Sequence, residues 1–287
     1  MWTSTILGVS TIKKWNPMKV KFRASGVGNL MVGGNEITLT QLSKLTSYQE
    51  RKDSASDGTV KPLTDKMKTE LKALISKRDS PFEFGDTSKS WIEKEWLSIN
   101  HGFEKQVVTK EILKGHLCEQ DSIGLVSEVW KEKEFRVKNT DKFENDLYTG
   151  HPDVILKKKG VVEDVKTCWD IFTFREKKSV PTLYYAQGQV YMEITGYRFF
   201  RLHYCLVDTP EELLEGDISK MYMKYGRDED NPDFLKAIEA IRKNHKFGHI
   251  EPKKRVKTFE FGYAPDYIKK LNSRVELGRK YFNTIKL

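Results

Sequence analysis

The sequence has few cysteines and no long apolar run, and both shortages exclude classes of protein. Its 287 residues include three cysteines, Cys118, Cys168 and Cys205, which lie far apart and form no CxxC pair. Three thiols cannot complete a four-cysteine zinc or iron–sulfur site, so buried, reduced thiols are predicted. No segment approaches the roughly 18 apolar residues that span a bilayer. Residues 1–17 lack the pattern of a secretion signal, because their lysines follow the apolar run. The sequence therefore predicts an intracellular protein without a membrane anchor.

Positive charge is in excess over the whole chain. Lysine and arginine number 50 against 41 aspartates and glutamates, which gives a net charge of +9. This excess suits a polyanionic partner, although alone it indicates only nonspecific attraction. Apolar residues make up 38% of the chain and aromatic residues 11%. The composition therefore predicts a real core, in one large domain or one domain with an appendage.

Two short segments in the middle of the chain have the pattern of a β-hairpin with acidic edges. Asp153 comes just before an apolar run, a lysine-rich turn follows at 157–160, and Val161–Thr167 is rich in β-branched residues. This order predicts two paired strands joined by a tight turn. Because side chains alternate along a strand, Asp164 and Lys166 are expected on one face.

If the two arms pair, two carboxylates and one ammonium converge on a small volume. Carboxylates are hard oxygen ligands that suit Mg²⁺ or Mn²⁺. A lysine beside such an ion can orient or deprotonate a water, or neutralise charge on a phosphate. The pattern predicts a metal site for phosphodiester chemistry. The alternative is a surface hairpin with ordinary charges, since each short motif also occurs by chance.

A helix and a strand are predicted after the hairpin. Pro181 suits a first helical turn, and Gly196 suits the position just past a helix end. Tyr184 and Gln187 lie three residues apart and share one helix face. The Gln187 amide is predicted to hold a metal-bound water or a phosphate. Residues 197–207 have the composition of a strand.

The order of hairpin, helix and strand resembles the lambda exonuclease and YqaJ-type viral recombinase family of PD-(D/E)xK nucleases. The matching residues are Asp153, Asp164, Lys166, Tyr184, Gln187, Gln189 and Met192. The resemblance implies an α/β (α+β) fold with a restriction-endonuclease-like core. In that core a central mixed β-sheet is flanked by helices, with further helical elements at both ends of the chain. It also implies two-metal-dependent 5′→3′ digestion of linear duplex DNA, with Mg²⁺ as cofactor and Mn²⁺ as its substitute.

The resemblance implies roles for the core residues. Asp153 and Asp164 are expected to bind the metal, together with the backbone carbonyl of Val165. Lys166 is expected to position or activate the attacking water. Asp153, Asp164, Lys166 and Gln187 form the predicted catalytic set.

One position departs from the family pattern. The family places a further metal-binding glutamate on a helix before the core, in a G-x-x-x-E pattern, and Gln106 is expected to stand at that position. Glutamine keeps a carbonyl oxygen but loses the charge, so weaker metal binding is predicted. This departure leaves open a DNA-binding protein with a weakened nuclease core. A structure-specific endonuclease built on the same core is the other alternative.

The resemblance also predicts DNA contacts. Residues 21–31 are similar to the family's entry segment, a short strand leading into a helix that helps to hold the DNA end or its 5′-phosphate. A basic stretch precedes the glutamine-containing helix. The predicted DNA-binding residues are Arg23, Ser25, Lys177, Lys178 and Tyr184.

Domain organisation and partners complete the expectations. Residues 1–17 are predicted as an extension, 18–210 as the nuclease domain and 211–287 as a C-terminal helical region. Strands are expected within 125–137, and loops at Glu50–Lys61 and Lys253–Lys257. Double-stranded DNA ends are the expected substrate. The resemblance implies a homotrimer, a single-strand annealing partner, and action in recombination or end processing in the cytoplasm of a bacterial host.

Overall fold

The structure is a computed structural model that describes residues 20–56, 58–226 and 231–287. The extension predicted at residues 1–17 therefore lies outside the described residues. Within the described ranges, no helix combines the length and the apolar character that crossing a membrane requires.

The described residues form seven β-strands and eleven α-helices, which follow the chain in one order. These are β1 (Phe22–Arg23), α1 (Ala24–Val27), α2 (Leu39–Ser56), α3 (Asp65–Asp79), α4 (Asp86–His101), α5 (Lys110–Leu117), α6 (Glu119–Trp130), β2 (Phe143–Glu144), β3 (Tyr148–Gly150), β4 (Val154–Leu156), β5 (Val161–Thr167), α7 (Ile171–Glu176), α8 (Thr182–Thr195), β6 (Phe199–Cys205), α9 (Glu215–Tyr225), α10 (Pro232–Lys243), β7 (Val256–Gly262) and α11 (Pro265–Phe282). Short 3-10 helices lie at Gly28–Met31, Glu211–Leu213 and Pro252–Arg255.

The chain divides into two compact units. One contains the described residues up to Val27 together with those of Gln106–Leu287, and the other contains the described residues of Gly28–Lys105. This division differs from the predicted ranges 18–210 and 211–287, which stay a prediction about domain organisation.

The smaller unit is helical and contains α2, α3 and α4. Its core is formed by the leucine side chains of Leu45, Leu63, Leu71 and Leu74. Thr64 caps α3, because its hydroxyl accepts a hydrogen bond from the Met67 amide.

The larger unit contains a four-stranded mixed sheet in the order β4-β5-β6-β7. Strands β5 and β6 are parallel, whereas β4 and β7 run antiparallel to their neighbours. Helix α8 makes the crossover from β5 to β6, and β1, β3 and β2 form a second, smaller sheet. A mixed sheet with flanking helices confirms the predicted fold class.

The predicted hairpin is present with the predicted bounds. Strands β4 and β5 pair in a register that sets Val154 opposite Glu163. The turn ends at Gly160, whose φ of +66° lies in the left-handed region that favours glycine. This register places Asp153, the residue before β4, beside the middle of β5.

Helix α8 also follows the prediction, from Pro181 at its N-cap to Gly196, whose φ is +79°. It lies very close to the sheet at Gly188, where an added Cβ would sit 2.6 Å from the Phe200 ring and 2.7 Å from Phe261. Gln189 ties the helix to the end of β7, because its Nε2 atom donates to the Gly262 carbonyl at 2.9 Å. The glycine therefore lets α8 present its polar face at the sheet surface.

Three predictions of local structure were wrong. The valine-rich residues 125–130 belong to helix α6, because Ser122, Ile123 and Val126 are buried at helical spacing. Residues 50–56 continue helix α2, since their charged side chains suit an exposed helix face. Lys257 lies in strand β7 and not in a loop.

Candidate active site

The hairpin brings the predicted acidic and basic side chains together. The Val165 amide donates a hydrogen bond to Asp153 Oδ2 at 2.7 Å. The Lys166 ammonium lies 2.5 Å from Asp164 Oδ2. Asp164 is 1% exposed, and Lys166 is half-buried. Two carboxylates and one ammonium therefore meet at the middle of β5, as the side-chain alternation predicts.

The electrostatics of this group show an excess of negative charge at Asp153. Burial, followed by the nearby Asp164 carboxylate, raises the pKa of Asp153 well above its ordinary value. Burial opposes the charge on Lys166, but the carboxylates of Asp164 and Asp153 outweigh it and raise the pKa of Lys166. Lys166 is therefore an ammonium at neutral pH, which suits charge neutralisation better than proton acceptance.

Gln187 fixes the orientation of one carboxylate. Its Nε2 atom donates to Asp164 Oδ1 at 3.1 Å and to Tyr191 Oη at 3.0 Å. The Tyr191 hydroxyl in turn donates to the His151 carbonyl at 3.0 Å. The amide nitrogen is thus used on the protein itself, and the predicted contact with a water or phosphate stays a prediction.

A cavity of about 530 Å³ opens beside these residues. Its walls combine acidic, basic and aromatic side chains. They include Ser25, Glu111, His116, Glu119, Asp153, Lys166, Trp169, Thr173, Lys177, Tyr184, Gln187 and Tyr204.

Glu119 adds a third carboxylate to those of Asp153 and Asp164, and the sequence analysis missed it; Glu111 lines the same cavity. Glu119 is the first residue of α6, and its charge contributes to the raised pKa of Asp153, after burial and Asp164. It follows Gly115 by four residues, so Gly115 and Glu119 fulfil the G-x-x-x-E pattern. This signal was available in the sequence.

Gln106 stands elsewhere. It is exposed, lies in an irregular segment between α4 and α5, and is not among the residues that line the cavity. The structure therefore does not bring Gln106 to the cavity as predicted, whereas Glu119, which fulfils the same pattern, lines it. The physical reason is that α4 ends at His101, with Gly102 as its C-cap at a φ of +69°, and the next helix starts only at Lys110, so Gln106 lies on neither helix.

The donor set fits a hard divalent cation, although the carboxylates hold other partners. Among the described residues, no three His, Cys, Asp or Glu side chains form a ready metal cluster. Asp153 accepts from the Val165 amide, and Glu119 pairs with Lys138. Asp164 Oδ2 is buried and pairs with the Lys166 ammonium, whose charge also acts on Asp153. Buried carboxylate oxygens that lack full compensation suit Mg²⁺ or Mn²⁺. A role for the Val165 carbonyl stays a prediction.

A second cavity, of about 400 Å³, adjoins the entry segment. Arg23 and Ser25 line it together with Lys142, Thr149 and His151, and Ser25 also lines the first cavity. Gly150 closes it tightly, because an added Cβ there would lie 2.7 Å from the Tyr191 ring. The structure thus brings the two predicted entry residues into one polar, basic cavity.

The other predicted DNA-binding residues divide into two groups. Lys177 and Tyr184 line the first cavity, where the Lys166 ammonium lies 5.3 Å from the Tyr184 ring centre. Lys178 is exposed and lines neither cavity. Its predicted DNA contact stays a prediction.

Comparison with solved structures shows the fold. A phage-related exonuclease from Haemophilus somnus 129PT has a TM-score of 0.60 at 20% identity, over 93% of this chain and 95% of that chain. Two structures of LHK-Exo are each 10% identical in sequence to this chain. The first is described as an alkaline exonuclease from Laribacter hongkongensis. One has a TM-score of 0.48 over 92% and 88% of the two chains. The other, a complex with dAMP, has 0.49 over 93% and 90%.

The chain therefore has the fold of the phage-related exonuclease. This confirms the fold expected from the resemblance to the lambda exonuclease and YqaJ-type family. No protein-family model and no curated protein sequence matches the chain.

Proposed function

We propose that this protein is a metal-dependent deoxyribonuclease, an exonuclease that acts on the ends of linear double-stranded DNA. The observation that carries the proposal is the meeting of Asp153 and Asp164 with Lys166, beside a cavity that Asp153 and Lys166 line. This arrangement lies on the fold of a phage-related exonuclease. The positive net charge of the chain suits the polyanionic substrate.

The carboxylates of Asp153, Asp164 and Glu119 would hold the metal. Mg²⁺, or Mn²⁺ in its place, polarises a phosphate and lowers the pKa of a bound water when it is present. Gln187 keeps the Asp164 carboxylate in place through its hydrogen bond to Oδ1. Lys166 supplies a fixed positive charge beside the reacting phosphate, where it neutralises the developing negative charge.

The second cavity would hold the terminal phosphate of the DNA strand. Arg23 and Lys142 supply positive charge there, and Ser25 and His151 supply side chains that can bond phosphate oxygens. Because Ser25 lines both cavities, a strand bound by its end would reach the carboxylates. Digestion from the 5′ end is proposed from the family resemblance.

The biological setting is proposed from the family resemblance. We place the enzyme in phage-type recombination or DNA end processing in the cytoplasm of a bacterial host. A single-strand annealing protein is the proposed partner, and a homotrimer is the proposed assembly.

Digestion of labelled DNA tests the proposal. Wild type with Mg²⁺ or Mn²⁺ is expected to degrade 3′-labelled linear duplex and to leave closed circular DNA intact. Asp164→Asn is expected to lower the rate about 1,000-fold or more, because a bound metal stabilises the charge of the transition state by several kcal/mol. Gln106→Ala is the control and is expected to digest DNA at the wild-type rate.

Two outcomes would redirect the proposal. Cleavage of closed circular DNA would indicate the structure-specific endonuclease. Binding of DNA without cleavage in either metal would indicate a DNA-binding protein with a weakened nuclease core. The carboxylate of Glu119 in the cavity argues against a weakened nuclease core, because that alternative was inferred from Gln106 alone.

A further inference from the structure

The Tyr204 hydroxyl is a buried polar group to which the described residues supply no hydrogen-bond partner. Tyr204 is 2% exposed, and its Oη atom has no hydrogen-bond partner within the described part of the chain. Leaving a buried hydroxyl unpaired costs about 1–3 kcal/mol. Tyr204 also lines the cavity that contains the carboxylates. A ligand in that cavity would supply the missing partner.

Sheet register fixes where this side chain lies. Tyr204 on β6 is the partner of Lys166 on β5 in a parallel pair, so both side chains are neighbours on the same face. Strands β4 and β6 flank β5 on opposite sides. Tyr204 therefore lies on the side of Lys166 away from Asp153, which precedes β4.

A second cationic group is held at this side of the cavity. The Lys177 ammonium lies 5.6 Å from the centre of the Tyr204 ring and also lines the cavity. The loop that carries it is fixed by Lys257, whose ammonium donates to the carbonyls of Phe174 at 2.8 Å and of Lys177 at 3.1 Å. The lysine position is thus set by the sheet, because Lys257 is the β7 partner of Tyr204.

The surroundings favour an anion at this point. Burial, followed by the neighbouring Tyr184 phenol, raises the pKa of Tyr204, so its hydroxyl is a proton donor at neutral pH. Helix α8 begins at Thr182 without a side-chain cap, which leaves its first amides for an acceptor, and Tyr184 in its first turn lies beside the Tyr204 ring.

We propose that the Tyr204 hydroxyl and the Lys177 ammonium form a phosphate subsite, which binds the backbone phosphate next to the scissile one in a DNA strand. The identity of the ligand rests on the proposed function. The subsite would place the strand across the sheet, with one phosphate at the carboxylates and its neighbour at Tyr204. Tyr204 is then a binding residue that sets the position of the scissile bond.

Binding without metal tests the subsite separately from cleavage. The probe is a 3′-labelled linear duplex, titrated with the full-length chain in EDTA and followed by fluorescence anisotropy. Tyr204→Phe is expected to bind about tenfold more weakly or worse, because a hydrogen bond to a charged group contributes about 1.5–3 kcal/mol. The ring contacts with Tyr184 and Phe259 are kept in this variant.

Tyr267→Phe is a matched control. The Tyr267 hydroxyl is also buried without a hydrogen-bond partner among the described residues, but Tyr267 does not line the cavity. This variant is expected to bind DNA as wild type does. Both substitutions remove an unpaired hydroxyl, so the melting temperature is expected to stay the same or rise in each.

Lys177→Met sharpens the assignment. It is expected to weaken binding and to lower the salt dependence by about one phosphate contact, whereas Tyr204→Phe should leave that slope unchanged. If both groups hold one phosphate, the double variant loses less than the sum of the two single losses.

The outcomes separate the subsite from the proposed function. Equal duplex binding by Tyr204→Phe and Tyr267→Phe would overturn the subsite while leaving cleavage untouched. A fall in melting temperature specific to Tyr204→Phe would also overturn it, since the hydroxyl would then have a partner in the fold. If wild type binds duplex DNA but never cleaves it, the proposed nuclease activity is refuted. The difference in duplex affinity between Tyr204→Phe and Tyr267→Phe still tests the subsite in that case.

Discussion

The two faces of strand β5 carry buried acidic residues side by side, and the two are treated differently. Glu163 is fully buried, and the guanidinium of Arg136 donates to both of its oxygens, at 2.7 and 3.1 Å. Arg201 adds a third contact at 3.2 Å. Asp164, the next residue, accepts a hydrogen bond from Gln187, and the Lys166 ammonium beside it also acts on the Asp153 carboxylate.

The pKa values express this difference. Burial raises the pKa of Glu163, but His203 and Arg136 outweigh it and bring the pKa down to about 2. On the other face, burial and the Asp164 carboxylate raise the pKa of Asp153. One face is therefore balanced by the protein's own cations, whereas the other stays short of positive charge. Such a shortage is typical of a site that receives a cation from solution.

The largest expected effect is on the free energy of unfolding, when the charges of Glu163 and Asp164 are removed in separate variants. Glu163→Gln is expected to lower the free energy of unfolding by about 3–5 kcal/mol, because it leaves Arg136 and Arg201 buried with too little negative charge. Asp164→Asn is expected to keep or raise the stability of the metal-free protein, since it relieves repulsion with Asp153. Urea unfolding of both variants in EDTA measures this. Equal destabilisation would mean that the two faces do not differ in charge balance.

The two faces are also expected to have opposite pH dependence. Because the pKa of folded Glu163 lies below its ordinary 4.5, its contribution is present above that value and lost as pH falls towards about 2. The stability difference between wild type and Glu163→Gln should shrink by roughly 3 kcal/mol over that range. Asp153 has a raised pKa, so its contribution is present in acid and lost as pH rises. The free energy of unfolding of Asp153→Asn should therefore increase relative to that of wild type as pH rises. If the free energies of unfolding of wild type and both variants had the same pH dependence, the two faces would not differ.

The smallest effect concerns the third carboxylate. Glu119→Gln is expected to weaken Mn²⁺ binding by about 10–100-fold or more. Loss of a residue that only supports a metal ligand already weakens binding by that factor. Gln106→Ala is expected to leave it unchanged, because Gln106 does not line the cavity. Calorimetric titration of the metal-free protein with Mn²⁺ measures both. The reverse result would return the ligand role to Gln106.

Local patterns predicted the parts of the fold that depend on neighbouring residues. The hairpin follows from a β-branched run and a turn that ends at Gly160, and α8 follows from the proline and glycine at its ends. Because side-chain alternation on β5 is fixed by strand geometry, the meeting of Asp164 and Lys166 could also be predicted. No packing information was needed for these features.

Features that depend on packing were missed. Residues 125–130 have strand-like composition, but burial of every third or fourth side chain against β5 and β6 makes them helical. The same error hid Glu119, since a helix that begins at this residue sets its carboxylate at the cavity. Strand β7 was missed because its first residues are basic and resemble a loop.

The sequence by itself determined the acidic hairpin, the direction of its charged side chains and the helix that follows, because strand and helix geometry act over a few residues. Tertiary structure alone decided which distant residues join them. Glu119 enters the cavity through the packing of α6, and Tyr204 stands beside Lys166 through the parallel register of β5 and β6. Contacts between residues far apart in the chain depend on how whole elements pack, and no local pattern contains that information.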